Sequence, residues 1–258
     1  MTTARIDANA RVSLPRIYAL ESRLEFLRLL RAPAFAVPTL LFPAMFYCLF
    51  AVLFAGDRGS FEAKVYLLAT YGVFGVMAPG LFGFGVSVAL DRERGWLTLK
   101  RGLPMPPGAY LVSKLAMAML FATIIFTLLA LLATVLGGVR LPATAWLTLL
   151  VVDVLGVLPF CAIGLFVGTR VNGQAAPAVI NLIYLPMSFL SGLWMPVTAL
   201  PAVLRSAAPL WPAYHLGQLA LGAVGQPNDG AAATHAIALA AFTALFLWLA
   251  RRRLARSA

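Results

Sequence analysis

The sequence has little charge and few of the side chains that catalyse reactions or hold metals. Only 11% of its 258 residues are charged, nine are acidic, and there are two cysteines and two histidines. Soluble globular domains are about 25% charged and about 45–50% apolar. A chain that is 62% hydrophobic and this poor in charge is not an ordinary soluble domain. Its composition predicts an all-α integral membrane protein.

Several chemical signals are also missing. The sequence has no Gly-x-x-x-x-Gly-Lys-Ser/Thr loop, which would cradle the phosphates of ATP. The N-terminus has no apolar core before a cleavage site, so we expect no removable signal peptide. Cys48 and Cys161 lie inside apolar runs and are expected to be packing residues. His215 and His235 have one nearby carboxylate, Asp229, and we expect neither a catalytic site nor a metal site.

Apolar runs long enough to cross a bilayer recur along the chain. A spanning helix needs about 20 apolar residues. Six runs meet this condition and predict one transmembrane domain, residues 1–258. The predicted spans lie at about 32–56, 65–90, 111–138, 143–169, 175–195 and 231–250. Prolines interrupt the chain around and after the fifth run, which makes this span shorter than the uncharged stretch that contains it.

The distribution of Lys and Arg predicts the orientation of these spans. Short cytoplasmic segments of membrane proteins are rich in both residues. Of the 20 Lys and Arg residues, 16 fall in alternate segments that include both ends of the chain and the loop after the second span. We therefore expect both termini and that loop to be cytoplasmic. This pattern accounts for the net charge of +11 without nucleic-acid binding.

Two segments outside the spans have patterns of their own. Residues 16–31, in a cytoplasmic arm over 1–31, place leucines at helical spacing, which predicts an amphipathic helix in the inner membrane interface. A soluble arm packed on a partner is the alternative. Residues 196–228 combine prolines with aromatic anchors and predict short re-entrant or interfacial helices between spans five and six. Here the alternative is a plain extracytoplasmic loop.

The loop after the second span carries a dense charged patch that is followed by prolines. Residues 93–103 predict a short helix with Trp96, Leu99 and Leu103 on one stripe, and Pro104 ends it because proline has no amide hydrogen. Such a helix between two spans is suited to receive a push from a cytosolic partner. A solvated basic loop that only fixes topology is the alternative.

These residues resemble the permease subunits of type-2 ABC exporters. In that family an acidic-basic-Gly segment follows the second span, then a hydrophobic helix ending in proline, then a small-residue run with a lysine. The corresponding residues here are Glu93-Arg94-Gly95, residues 96–103, Pro104 and residues 110–114. Residues 189–219 resemble a second run of the family, whose elements are Ser-Gly, Met-Pro, Leu-Pro and Pro-x-x-Tyr, although the last element here is the shorter Pro212-Ala213-Tyr214. Trp96 departs from the small or hydroxyl residue that usually follows the glycine.

The resemblance implies one half of a membrane pore that a separate ATPase drives. The chain would lie in a bacterial cytoplasmic (inner) membrane, among lipids, with a second copy of itself or a similar permease. ATP and Mg²⁺ would bind the ABC ATPase partner, and this chain would bind no cofactor and no nucleic acid. The residues that would couple it to the ATPase are Asp91, Arg92, Glu93, Arg94, Gly95, Trp96, Leu99, Leu103 and Pro104.

Polar and small residues inside the spans are further candidates. Asp153 lies deep in the fourth span, where an ionised carboxylate is costly. It either binds a polar or cationic part of the substrate or hydrogen-bonds across helices, and Asn181 is a second candidate for either role. Gly164 and Gly168 form a small-xxx-small pair suited to close helix packing, either within the subunit or at a subunit interface or moving joint.

The apolar spans favour a particular class of substrate. Because they offer no large polar lining, we expect export of an amphipathic drug, lipid or natural-product-like compound. Export of a polysaccharide or other polar glycan is the alternative. A proton-coupled carrier or a membrane-embedded enzyme is a second alternative, which the single buried carboxylate supports only thinly.

Overall fold

A computed structural model of the chain describes residues 13–54, 60–96, 99, 106 and 108–256, and these residues form helices and turns without strands. Two π-helical segments, Cys48–Phe54 and Pro79–Val86, continue helices α2 and α3. Short 3-10 helices lie at Val197–Ala199 and Ala208–Leu210. The α-helices are α1 (Leu14–Leu30), α2 (Pro33–Tyr47), α3 (Phe61–Ala78), α4 (Ser87–Glu93), α5 (Ala109–Val135), α6 (Ala143–Gly168), α7 (Ala176–Leu190), α8 (Ala202–Ala207), α9 (Pro212–Ala223) and α10 (Ala232–Arg256).

Within the described residues, five continuous helices are long and apolar enough to cross a membrane. They correspond to the first, second, third, fourth and sixth predicted spans, and their bounds are Pro33–Phe54, Phe61–Glu93, Ala109–Val135, Ala143–Gly168 and Ala232–Arg253.

The predicted fifth span differs from the other five. Helix α7 has 15 residues, which at about 1.5 Å per residue extends roughly 22 Å against a hydrocarbon core of about 30 Å. The helix ends before Gly192, whose φ of +76° breaks the helical path. The count of six spans therefore stays a prediction.

The second span, Phe61–Glu93, lies at the centre of the molecule. Its most apolar stretch is 83% buried, against 6% for the last span. Pro79 has no amide hydrogen to give to the helical ladder, and the backbone widens into a π-helix from Pro79 to Val86. The three consecutive elements α3, Pro79–Val86 and α4 together form this one long helix.

Glycines bring the second and fourth spans into backbone contact. A Cβ atom on Gly164 of α6 would lie 2.6 Å from the carbonyl oxygen of Gly80, and one on Gly168 would lie 2.5 Å from that of Gly85. Both distances are too short for a real side chain, so only glycine permits this approach. The small-xxx-small pair thus packs within the subunit, against the second span.

Helix α1 lies against α5 and buries a charged residue. Leu20 and Leu24 are each 53% exposed, whereas Glu25 is 7% exposed. The amphipathic pattern thus leaves an apolar face of the helix that the other described residues do not cover. Its location in the membrane interface stays a prediction.

The segment between α7 and α10 is built from short helices. Helix α9 is largely buried and packs against α3, α6 and α10. Its Leu216 fills the space that Gly156 of α6 leaves open, since a Cβ on Gly156 would lie 2.4 Å from a methyl carbon of Leu216. The depth of these helices in the membrane also stays a prediction.

The contact between the second and fourth spans can be tested by Gly164→Ala. The added methyl group would meet the Gly80 carbonyl oxygen at 2.6 Å, and overpacking of this kind costs about 1–3 kcal/mol. We expect a lower thermal unfolding midpoint for the purified protein in detergent. Gly108→Ala is the control, because its nearest neighbour is the Tyr18 hydroxyl oxygen at 3.5 Å. Equal midpoints for the two variants would contradict the close approach.

Candidate functional site

A buried cluster of charged side chains joins three helices where the second span ends. Its centre is Lys114 on α5, whose residue is 0% exposed. The Lys114 Nζ donates to Glu25 Oε1 of α1 at 2.6 Å and to Ser87 Oγ of α4 at 2.7 Å, and it lies 3.1 Å from Asp91 Oδ2. The single ammonium group thus connects α1, α4 and α5.

Arg28 and Tyr110 complete the cluster. Arg28 donates from Nη1 to Asp91 Oδ1 at 3.1 Å and from Nη2 to Glu25 Oε1 at 2.8 Å. Tyr110 donates from its hydroxyl to Asp91 Oδ2 at 2.9 Å. Burial alone lowers the pKa of Arg28, but the charges of Glu25 and Asp91 outweigh it and raise that pKa above its ordinary value.

Helical spacing explains how each helix contributes to this cluster. Side chains three or four residues apart lie on the same helical face. Accordingly, the cluster takes one such pair from each helix, which are Glu25 with Arg28, Ser87 with Asp91, and Tyr110 with Lys114. The two carboxylates balance the two cations, so the cluster is neutral as a whole. Removing one partner of a buried ion pair strongly destabilises the folded protein, because the other charge is left buried and unpaired.

The two residues after Asp91 hold a different part of the chain. Arg92 donates to the carbonyl oxygens of Thr169 and Val171, the second at 2.8 Å. Glu93 Oε2 accepts from the amide of Gly173 at 2.9 Å. Both side chains therefore bind the turn between α6 and α7. Three consecutive residues at the end of the second span tie it to α1, to α5 and to this turn.

The first residues of the predicted coupling segment continue the second span, and their coupling role stays a prediction. Helix α4 continues through Asp91 and ends at Glu93, so the first three residues of the predicted segment form the last turn of the second span. They remain helical because their side chains find buried or backbone partners on neighbouring elements. Gly95, with φ of +72°, then turns the chain away.

The later coupling candidates lie beyond this turn. Arg94 is exposed, and so are Trp96 and Leu99, at 50% and 61%. The amide of Leu99 donates to the carbonyl oxygen of Gly95 at 3.1 Å. Leu103 and Pro104 lie outside the described residues. Two large apolar side chains thus stand exposed beside a tightly bound helix end.

A groove of about 640 Å³ opens beside the same helix end. It lies between α1, α2, the second span and α7. Aromatic, aliphatic and proline side chains form most of its wall, and charged side chains form one end. The apolar wall includes Leu29, Phe35, Pro38, Phe42, Phe82, Val86 and Tyr184, and the charged end consists of Arg28, Asp91 and Arg94. A groove with one charged end matches an amphipathic ligand.

The two polar candidates in the spans lie apart from each other. Asn181 lines the groove, and Asp153 is not among the groove's lining residues. Asp153 instead faces the second span, where a Cβ on Gly72 would lie 2.9 Å from its Oδ2. Neither carboxylate oxygen of Asp153 has a hydrogen-bond partner within the described part of the chain. The two residues do not form one network there.

Sequence reasoning missed most of the charged cluster. It noted Lys114 only as part of a family resemblance, and it did not single out Glu25, Arg28 or Ser87 as site residues. A usable signal was present, because a lysine inside the start of an apolar span requires an acceptor close by. No group of three or more His, Cys, Asp or Glu side chains that could hold a metal ion occurs among the residues described.

The five described helices that are long and apolar enough to cross a membrane indicate a multi-pass membrane protein. The ABC-2 type transporter family model matches residues 19–224, and the chain belongs to this family. It is therefore a transmembrane subunit of an ABC transporter, and it transports without being a catalytic subunit itself. A protein of Bacillus subtilis (strain 168) named "Putative transport permease YvfS" is 26% identical over 200 residues, which cover 76% of this chain and 81% of that protein.

The charged cluster can be tested by Lys114→Met. This change leaves Glu25 and Asp91 buried without their central cation, and breaking a buried pair costs about 3–5 kcal/mol. We expect a large drop in the unfolding midpoint and partial recovery when Glu25→Gln is added. Glu62→Gln, on an exposed residue, is the control and should leave the midpoint unchanged. Additive effects of Lys114→Met and Glu25→Gln would show that the two groups do not interact.

Proposed function

We propose that this chain exports an amphipathic drug, lipid or natural-product-like compound across a bacterial inner membrane. Members of the ABC-2 family generally work with an ABC ATPase. In this proposal ATP and Mg²⁺ bind that ATPase, and two permease chains, identical or similar, form the pathway. Both termini and the segment after the second span face the cytoplasm.

The groove is the observation that carries the proposed substrate class. Its wall is apolar over most of its length, while Arg28, Asp91 and Arg94 stand at one end. A polar glycan would leave its hydroxyl groups facing aromatic rings and methyl groups without partners, which is costly. An amphipathic molecule places its apolar part along the wall and its polar part at the charged end.

The segment 91–104 is the proposed contact with the ATPase. Asp91, Arg92 and Glu93 bind α1, α5 and the α6–α7 turn, so a force applied just beyond them reaches several helices together. The exposed side chains of Trp96 and Leu99 supply an apolar surface for a partner. Tryptophan is enriched among the residues that contribute most of the binding energy at protein interfaces.

The groove and the proposed contact are adjacent, which suggests how ATP would act. Arg94 lies in the segment and also lines the groove, as does Asp91. A displacement of the segment therefore changes the charged end of the groove. ATP shifts the permease between two states only if the ATPase binds them with different affinity. We infer that this difference arises at Arg94, Trp96 and Leu99.

The proposed coupling can be tested by Glu93→Lys, Arg94→Glu and Leu99→Asp. Each change alters the charge or polarity of the proposed contact, and Glu93→Lys also breaks the bond to Gly173. We expect each variant to insert normally but to lose most substrate-stimulated ATPase activity in the purified complex. Arg140→Glu is a matched charge reversal at an exposed residue elsewhere and should behave as the unmodified protein does. Full coupling in all three variants would refute this role.

The proposed substrate site can be tested by Phe82→Ala and Asn181→Ala. Loss of an aromatic wall or of a groove amide should weaken substrate binding, with about a tenfold rise in the half-stimulating concentration for Phe82→Ala. Leu182→Ala is the control, because Leu182 neighbours Asn181 in sequence and is 75% exposed. ATPase stimulation by a fluorescent phospholipid, an apolar cationic dye and an oligosaccharide provides the measurement. Stimulation by the oligosaccharide alone would favour the glycan alternative.

A further inference from the structure

The two histidines of the chain meet between α9 and α10. His215 lies on α9 and His235 on α10, and their Nδ1 atoms are 2.9 Å apart. The residues are 9% and 5% exposed. The ring centroids are 5.2 Å apart, and the phenol ring of Tyr214 and the phenyl ring of Phe242 lie beside them. The pair is thus a buried polar contact between the two helices.

The second nitrogen of each ring already has a partner. His215 Nε2 lies 2.9 Å from the carbonyl oxygen of Pro209, and His235 Nε2 contacts the carbonyl oxygen of Asp229. A carbonyl oxygen only accepts hydrogen bonds, so each Nε2 must carry a proton. A neutral imidazole has a single N–H. Two neutral rings would therefore turn two bare lone pairs toward each other at Nδ1.

We propose that His215 and His235 form a shared-proton site, in which one additional proton lies between the two Nδ1 atoms. The pair then has three N–H protons and one positive charge, and all of its ring nitrogens are in hydrogen bonds. The ligand of this site is the proton itself. When the proton leaves, the polar contact between α9 and α10 becomes a repulsion between lone pairs.

Asp229 is the acid next to the pair. Its carboxylate accepts from the Tyr214 hydroxyl at 3.0 Å, and its amide donates to Gln218 Oε1 at 2.7 Å. Burial and the bond to Asp229 raise the pKa of Tyr214 to about 12, so this phenol stays neutral. Asp229 is thus held beside the pair by contacts with Tyr214, Gln218 and His235.

Several other titratable groups on the helices packed against the pair have different neighbours. Asp153 faces Gly72, Tyr184 donates to Phe74, Tyr66 donates to Gly192, and Tyr71 packs on Phe46 and Phe50. Arg205 of α8 is exposed. Burial lowers the pKa of His215, donation to Pro209 raises it, and His235 lowers it again, with a lowered net value. A positive charge on one ring therefore opposes protonation of the other.

Selective ¹⁵N labelling of histidine tests the shared proton directly. The chain has two histidines, so every ring signal of the full-length protein in lipid nanodiscs belongs to the pair. We expect the Nδ1 signals of both rings to shift together at one pH midpoint, while both Nε2 atoms stay protonated. A second step should follow at a pH lower by more than about one unit, as coupled sites require.

The variant His235→Phe removes one of the two acceptors. In this variant, the titration step that both rings share should disappear, and the pH midpoint of His215 should move by at least about one pH unit. Phe242→Leu is the matched control, because it changes the packing beside His215 without removing a nitrogen, and it should keep the common step. If His235→Phe does not fold, the titration of the unmodified protein decides the question by itself.

Three results would overturn the shared proton. The first is separate titration of the two rings, each at its own pH midpoint. The second is gain or loss of the proton at an Nε2 atom instead of at Nδ1. The third is a His215 midpoint in His235→Phe that equals the midpoint in the unmodified protein. None of these results bears on the transport function, since the site shares no residue with the groove or with the proposed ATPase contact.

Discussion

The ion pairs of the Lys114 ammonium group with two carboxylates are the interaction on which the structure around the end of the second span depends. A buried ammonium is stable only when its charge is balanced and its protons have acceptors. Glu25 and Asp91 meet both needs, at 2.6 and 3.1 Å, and they come from two different helices. The cost of leaving any of these charges alone therefore holds α1, α4 and α5 together. It also sets the position of the segment that follows Asp91.

The second span has one closed face and one open face. On the closed face, Gly164 and Gly168 of α6 lie against its backbone. On the other face, the groove opens between it and α1, α2 and α7, although Tyr184 of α7 still donates to the carbonyl oxygen of Phe74. Because Arg92 and Glu93 bind the turn after α6, the closed side is tied a second time at its end. Two closely packed helices thus border the apolar groove.

Sequence reasoning was accurate where the property is local and weaker where it depends on neighbours. Five predicted spans were confirmed as helices, because hydropathy over about 20 residues decides whether a helix can lie in lipid. The burial of Asp91 was not predicted, because a charged residue after a span is expected at the surface, whereas Asp91 is 7% exposed in the fold. The predicted fifth span, 175–195, is longer than helix α7 for a different reason. Its run is uncharged, but Gly192 stops helix α7 after 15 residues.

The sequence by itself determined that the chain is a helical membrane protein, where most of its spans lie and which family it resembles. These properties follow from composition, hydropathy and short motifs, each read within one stretch of chain. Only the tertiary structure decided which charges meet, since Arg28 and Asp91 are 63 positions apart and Glu25 and Lys114 are 89 apart. It likewise decided that Asn181 lines a groove, that Asp153 faces a glycine and that His215 meets His235. Hydrogen bonds and ion pairs act over a few ångströms, and distances of that size arise only after the helices have packed.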